Sequence, residues 1–464
     1  MVASGTNYPL EEKREECGVV GIYSKTGKDV APLLYKALIA LQHRGQDAAG
    51  FAVCDGKNIE VRRGIGLVDS IFSEDDIALM GKLGVGHTRY PTIGECRLCD
   101  VQPSVFGDIA TAHNGHIANY EDLKRELQAE GYKYTSTVDS EPIAFLLHRN
   151  KDLIAGVKDV MKSAEGSFSD CAIVENKLVV FRDPHAIRPL VWGENADFIC
   201  FASETVALDI NGIPYKGEVK GGELVIVDKA VTRMPLVTKE PKHCMFEHVY
   251  FARPDSIING KSVYGARKRL GETLAREAPV KADVVVAVPD TSRPAAASYA
   301  AALGIPCEEG LIKNRYIGRT FIMPTQEKRV DAVKLKLNPV REILDGKSVV
   351  LVDDSIVRGT TLREIVALVR AAGATEVHLR ITCPPVKAPC FYGVDMSTYE
   401  ELMANRKSVD EIGKFLGADS LAYISLAGLK LSLDLPLCTA CLTGEYHTDY
   451  VRKMAASTKR SGCG

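Results

Sequence analysis

Val349-Val350-Leu351-Val352-Asp353-Asp354-Ser355-Ile356-Val357-Arg358-Gly359-Thr360-Thr361 joins an apolar run, a pair of acids and a loop of Ser, Gly and Thr. An apolar run without polar alternation predicts a strand buried on both faces, as in a parallel sheet. Acids at its carboxyl end sit where such sheets bind ligands. The loop after them offers hydroxyls, backbone N–H groups and a helix amino end to an anion. A helix is expected from about Thr360 to Ala372. An acidic turn capping a helix would read the same way, so the surroundings must decide.

Those surroundings repeat the strand, turn, helix order. Asp283 to Val288 is rich in β-branched residues and ends in Pro289-Asp290-Thr291-Ser292. Ala295 to Leu303 then reads as a helix, and Glu376 to Ile381 as a third strand. Continuous apolar strands alternating with helices predict a doubly wound parallel sheet. Lys313 to Leu337 is long, turn-rich and basic, carrying Lys313, Arg315, Arg319, Lys328, Arg329, Lys334 and Lys336. Loops of that length are usually functional or disordered.

The character of the chain changes near residue 240, and Thr238 to Lys242 is the best linker candidate. Before it, alternating runs predict strands at Gly18 to Ser24, Phe51 to Arg63, Ile109 to Ile117, Ser169 to Arg182, Phe198 to Ser203 and Glu223 to Asp228. Helices are expected at Leu33 to Gln42, Asn119 to Ala129 and Glu141 to Leu147. Sheets packed between helices would suit that order.

The bulk numbers bound the function. The chain has 464 residues, 46% hydrophobic and 25% charged, with a net charge of -2. A near-neutral balance gives no support to a nucleic-acid or membrane-surface partner. No apolar stretch is long enough to span a bilayer. The opening residues, MVASGTNYPLEEKREE, have no apolar core, so they are not a secretory signal and a cytoplasmic location is expected. Thirteen cysteines are many for such a compartment. Most should be buried small residues; some are candidates for nucleophile or metal ligand.

Cys17-Gly18-Val19-Val20-Gly21-Ile22 opens the first strand. Gln42-His43-Arg44-Gly45-Gln46-Asp47, His87-Thr88-Arg89-Tyr90-Pro91-Thr92 and His113-Asn114-Gly115-His116-Ile117 follow. Together they resemble the class II, N-terminal-nucleophile glutamine amidotransferases over residues 17 to about 240. The resemblance implies an αββα layered domain with Cys17 as nucleophile and its own α-amino group as base. An α-amino group titrates near ~7.7–8.0, so it can take a thiol proton at neutral pH. It exists only if residues 1 to 16 are removed as a propeptide. Asn114 and the Gly115 N–H would form the oxyanion hole. Arg89 would clamp the glutamine carboxylate and Asp139 would take its ammonium. Alone, Arg89 would read as a surface ion pair and Asp139 as a helix cap.

The stretch from Val349 to Thr361 resembles the phosphoribosyl pyrophosphate (PRPP) signature of the type I phosphoribosyltransferases. By that resemblance Asp353, Asp354, Ser355, Arg358, Gly359, Thr360 and Thr361 bind PRPP. Val288 to Ser292 matches the pyrophosphate loop of the same family. Thr291 would join Asp353 and Asp354 around one Mg²⁺ per subunit, and the basic loop would close over the site. Arg293-Pro294 departs from the small residues usual there.

The fusion of the two halves resembles the amidophosphoribosyltransferase family, from Cys17 to about Tyr446. That implies residues 17–240 as glutaminase and 241–464 as phosphoribosyltransferase, an α/β multidomain enzyme. The substrates would be glutamine and PRPP. The products would be 5-phosphoribosylamine, glutamate and pyrophosphate, at the first committed step of purine biosynthesis. Purine nucleotide feedback and a homotetramer are further implications. Cys244, Cys390, Cys438 and Cys441 match the iron–sulfur subgroup, with one [4Fe–4S] cluster per subunit. Spacing alone leaves a structural zinc site open. Cys96 and Cys99 form a further CxxC, read as free thiols. Rival readings are another class II amidotransferase, a non-catalytic cluster-bearing regulator and a PRPP-binding transcription regulator. The Asp353 to Thr361 signature, the intact Cys17, Asn114 and Asp353-Asp354, and the neutral charge argue against them in turn.

Overall fold

The computed structural model describes residues 17–90, 97–314, 336–396 and 398–461. The expected propeptide, Cys96, Pro91-Thr92 and the span 315–335 of the basic loop lie outside the described residues.

The first half is built on β1 (Gly18–Ser24), β2 (Ala48–Cys54), β3 (Ile59–Ile65), β4 (Leu83–Arg89), β5 (Ser104–Phe106), β6 (Ile109–Ile117), β7 (Gly166–Val174), β8 (Lys177–Arg182), β9 (Val191–Glu194), β10 (Phe198–Ala202), β11 (Tyr215–Glu218), β12 (Glu223–Val227) and β13 (Val231–Pro235). One antiparallel sheet runs β11-β9-β10-β1-β4-β2-β3, the other β13-β12-β8-β7-β6-β5. Val19, Val85, Ala112, Cys171 and Val180 fill the layer between them. The Ala31–Ala40 helix covers the outer face of the first sheet. The helices at Tyr120–Ala129, Glu141–His148 and Leu153–Ser163 cover the second. This is the expected αββα layering.

Two expected strands are hairpins. Phe51 to Arg63 breaks at Asp55, whose carboxylate accepts from the N–H groups of Lys57 and Asn58 at 2.7 and 2.8 Å. That local bond competes with the ladder and turns the chain. Ser169 to Arg182 breaks at Glu175-Asn176, both at positive φ (49° and 59°), as a tight hairpin turn requires. β4 is central in its sheet, yet its Gly84 and Gly86 hid it from a reading based on β-branched runs. A side chain at Gly84 would meet the Ala52 carbonyl at 2.7 Å, so the crowding that places a glycine there also removes the strand signal.

The second half adds β14 (His243–Cys244), β15 (Ile257–Ile258), β16 (Lys261–Ser262), β17 (Val284–Ala287), β18 (Cys307–Glu308), β19 (Leu311–Lys313), β20 (Leu337–Pro339), β21 (Ser348–Asp353), β22 (Glu376–Ile381), β23 (Ser420–Tyr423) and β24 (Leu437–Cys438). A parallel sheet runs β18-β17-β21-β22-β23. Val350 and Val352 pack to one side with the Val263–Glu277 and Arg293–Leu303 helices. Val349 and Leu351 pack to the other with the Thr360–Ala371 and Val409–Leu416 helices. Strands buried on both faces explain the unbroken apolar runs.

The halves share their interiors. Ala252, Ile258 and Val263 belong to the cluster beneath the Ala31–Ala40 helix. Ile187 belongs to the cluster of the second half. Among the described residues no helix is long and apolar enough to cross a membrane.

Candidate active sites

Cys17 stands at the head of β1, with Sγ 4.0 Å from the Tyr90 carbonyl. Its own carbonyl accepts from Arg44 Nε at 3.0 Å. The Arg44 guanidinium is fully buried and also pairs with Glu204 at 2.6 Å and Glu247 at 2.7 Å. Burial alone would raise the Glu204 carboxyl, but His43, Arg44 and Ser256 hold it well below the usual range. The Gln42 to Asp47 loop reaches this position because Gly45 lies against the backbone of Thr88 and Arg89, where a Cβ would sit 2.7 Å away.

Asn114 and Gly115 lie on β6 in the facing sheet, across from Ser169 and Phe168 of β7. The Ser203 hydroxyl links the two sheets: it accepts from Val19 N–H at 3.0 Å and from Asn114 Nδ2 at 3.5 Å. Gly115 has φ +152°, and a side chain there would drive into the Ser167 carbonyl at 2.0 Å.

Arg89 ends β4 and is 7% exposed. One Nη donates to the Asp100 carbonyl, while the buried Nε has no partner among the described residues. Asp100 in turn accepts from Thr137 N–H at 2.8 Å, so the strand end and the Thr137 to Asp139 loop are held together. Asp139 accepts from Ile117 N–H and from His116 Nδ1, each at 2.9 Å. Burial works to raise its carboxyl, but His116, His113 and that N–H bring it down to about 2.

The second site lies at the carboxyl ends of β17 and β21. Asp353 and Asp354 are 8% and 3% exposed. Thr291 donates to Asp354 at 2.5 Å and Ser292 to Asp353 at 3.2 Å, joining the two loops predicted from sequence. Ser355 donates to the other Asp354 oxygen at 2.8 Å. Gly359, at φ +78°, turns the chain into the Thr360–Ala371 helix. A cavity of about 780 Å³ opens here, walled by Thr291, Asp353, Asp354, Ser355, Arg358, Gly359 and Thr361. Thr360 is exposed and not in its wall. Lys313 and Lys336, at the two ends of the basic loop, line it, and so do His43 and Gln46 of the first half. β19 and β20 bring those loop ends together, pairing Lys313 with Leu337.

The dispersed cysteines converge. Cys244 and Cys438 are partners in the β14–β24 pair. Burial pushes the Cys441 thiol well up, and the nearby sulfurs of Cys390, Cys438, Cys383 and Cys244 push it further. Cys390 Sγ accepts from Tyr392 N–H at 3.3 Å. Cys383 is a fifth sulfur that spacing did not single out. Cys99 is exposed. Among the described residues no group of three His, Cys, Asp or Glu side chains is arranged to hold a single metal ion.

Sequence reasoning assigned no role to Arg44, Glu204, Glu247 or Arg188. Nothing local marks those residues; their roles come from meeting one another inside the fold.

The chain matches a Glutamine amidotransferase domain family over residues 97–209 and a Phosphoribosyl transferase domain family over residues 255–412. It is 49% identical to an amidophosphoribosyltransferase of Methanothermobacter thermautotrophicus, covering 94% of this chain and 95% of that one. It is 47% identical to the chloroplastic amidophosphoribosyltransferase 1 of Arabidopsis thaliana, covering 97% and 81%. Its fold superposes on the glutamine PRPP amidotransferase of B. subtilis complexed with ADP and GMP with a TM-score of 0.88, at 42% identity over 93% and 98% of the chains. With both halves joined in one chain as in these relatives, the protein belongs to the amidophosphoribosyltransferase family.

Proposed function

We propose that Cys17, freed as the first residue of a mature chain, releases ammonia from glutamine, and that the Asp353-Asp354 site passes it to PRPP. One observation carries this reading. The Ser203 hydroxyl ties Val19, two residues from the nucleophile, to the side chain of Asn114. Nucleophile and oxyanion donor thus belong to one rigid frame.

The α-amino group of Cys17 takes the thiol proton and Sγ attacks the carboxamide carbon. Asn114 Nδ2 and the Gly115 N–H receive the oxyanion; removing one such donor costs about 10²–10³ in rate. The C–N bond breaks, ammonia leaves with the proton, and water releases glutamate from the thioester. Arg89 and Asp139 hold the substrate's carboxylate and ammonium; the buried Arg89 Nε, without a partner among the described residues, supports a ligand there. In the second site Asp353 and Asp354 hold the ribose hydroxyls, while Ser355, Arg358, Gly359 and Thr361 hold the 5-phosphate. Ammonia attacks the anomeric carbon and pyrophosphate leaves.

Two carboxylates and the Thr291 hydroxyl are hard oxygen donors, which fits a Mg²⁺ that arrives with the substrate's phosphates. The ion would neutralise charge on the departing pyrophosphate. The cysteine set fits soft-metal chemistry. Four converging thiols would suit a [4Fe–4S] cluster or, as the rival, a structural zinc; the resemblance of Cys244, Cys390, Cys438 and Cys441 to the iron–sulfur subgroup favours the cluster. The cluster would cross-link the linker, the Cys390 segment and the C-terminal region, a structural role. We further propose a division into residues 1–16, 17–240 and 241–464, a cytoplasmic homotetramer, and feedback by purine nucleotides. The nucleotide-bound B. subtilis relative supports the last.

Mass analysis of the purified enzyme tests the nucleophile. Active protein should begin at Cys17, and Cys17→Ala should lose glutamine-supported synthesis while ammonia-supported synthesis survives. Full glutamine activity in a chain that keeps Met1 would overturn the mechanism.

A further inference from the structure

We propose that the Tyr392-Gly393 turn, from the half that binds PRPP, is a positioning element of the glutamine site. It holds the Asn114-Gly115 strand where its donors meet the oxyanion. The inference rests on the oxyanion role given above to Asn114 and Gly115.

The turn is anchored deep in the protein. Tyr392 is 1% exposed. Its carbonyl accepts from Ser167 Oγ at 2.8 Å, from Arg188 Nε at 2.9 Å and from Arg188 Nη2. Ser167 lies on β7, directly across from His116, one residue beyond Gly115. Ser169, across from Asn114, donates to the Arg188 carbonyl at 3.1 Å. Both β7 serines that flank the oxyanion pair are therefore fastened to Arg188 and Tyr392. A peptide carbonyl accepting from a serine and from the Nε–Nη2 edge of a buried guanidinium fixes its position closely.

The backbones also lie close together. A Cβ built on Gly393, at φ +98°, would stand 3.1 Å from the Gly115 carbonyl and 2.9 Å from Arg188 Nη2. Gly115 is confined from its other side by the Ser167 carbonyl. It is thus held between its own sheet and a turn from the other half. Arg188 extends the frame to Glu247 at 3.5 Å, and Glu247 to Arg44, which holds the Cys17 carbonyl. Nucleophile and oxyanion donors are spaced by one buried network completed by residues after 240. Such spacing matters because a misplacement of about 1 Å costs on the order of 10² in rate.

The test uses the full, processed enzyme with Ser167→Ala, which removes one oxygen and leaves the backbone, and Gly393→Ala, which presses on Gly115. Phosphoribosylamine formation is followed with glutamine and with ammonia, and Cys17 alkylation by iodoacetamide with neither. In Ser167→Ala, kcat with glutamine should fall about 10- to 100-fold. KM for glutamine, ammonia-supported kcat and the alkylation rate should stay within about twofold. Gly393→Ala should show the same split, more strongly. A Ser167→Ala enzyme whose glutamine kcat is unchanged, or whose two activities fall together, overturns the proposal. Asn114→Ala separates the two failures: if it too retains glutamine turnover, the oxyanion assignment is wrong, and if it alone loses it, only the role of the turn is wrong.

Discussion

Arg44 Nη2 stands 2.7 Å from Glu247 Oε1, and both side chains are sealed from solvent. The two residues lie 203 positions apart, one in each half of the chain. The same guanidinium grips the Cys17 carbonyl. The proposed nucleophile is thus held, through Arg44, by a carboxylate from beyond residue 240.

Glu247→Ala should therefore be costly. It leaves the buried Arg44 and Arg188 short of their counter-charge, and removing one partner of a buried pair typically costs about 3–5 kcal/mol. Denaturant unfolding should show the midpoint moving down by a corresponding amount. An unchanged midpoint would mean that water or Glu204 fully replaces the lost carboxylate.

Asp353→Asn combined with Asp354→Asn should abolish synthesis from glutamine and from ammonia alike. Glutamine hydrolysis at Cys17 should persist, since these carboxylates belong to the second site, where they accept from Thr291, Ser292 and Ser355. Undiminished PRPP binding in the double variant, measured by calorimetry, would sink the assignment.

Asp139 gives a pH signature. Its carboxyl lies at about 2 in the folded chain against 3.8 when unperturbed. A lowered folded value means that its stabilising bonds are fully present above about pH 4 and are lost as pH falls toward 2. That difference is worth about 2 kcal/mol at neutral pH. Asp139→Asn should be less stable than wild type at pH 7, and the gap should close in acid. A gap that persists unchanged at pH 3 and below would show that charge on Asp139 is not its source.

The cysteine set should separate by function. Cys244→Ser, Cys390→Ser, Cys438→Ser and Cys441→Ser should each give insoluble or unprocessed protein, because metal binding and folding are coupled. Cys383→Ala and Cys99→Ser should remain soluble and keep iron. The anaerobic protein should be brown with about four irons per chain. A colourless, zinc-loaded, air-stable enzyme would favour the tetrahedral alternative.

Much was legible from the chain itself. Val349 to Val352 had to be a strand buried on both faces, because four apolar residues in a row leave no polar side to expose. Its acids and the Ser/Gly/Thr loop had to lie at its carboxyl end, since sequence order alone sets that. Cys17 heading a strand, and Asn114-Gly115 inside another, were equally local facts. Strand ends were read less well where a turn is fixed by one carboxylate, as at Asp55, or where packing demands glycine, as in β4. Tertiary structure alone decided what meets what. It set Ser203 between Val19 and Asn114, Glu247 against Arg44, the Tyr392 carbonyl on Ser167 and Arg188, and Cys383 beside the other sulfurs. The physical reason is that a buried charge or carbonyl takes its meaning from its partner. A partner hundreds of residues away is chosen by how sheets and helices pack, which no local pattern of residues records.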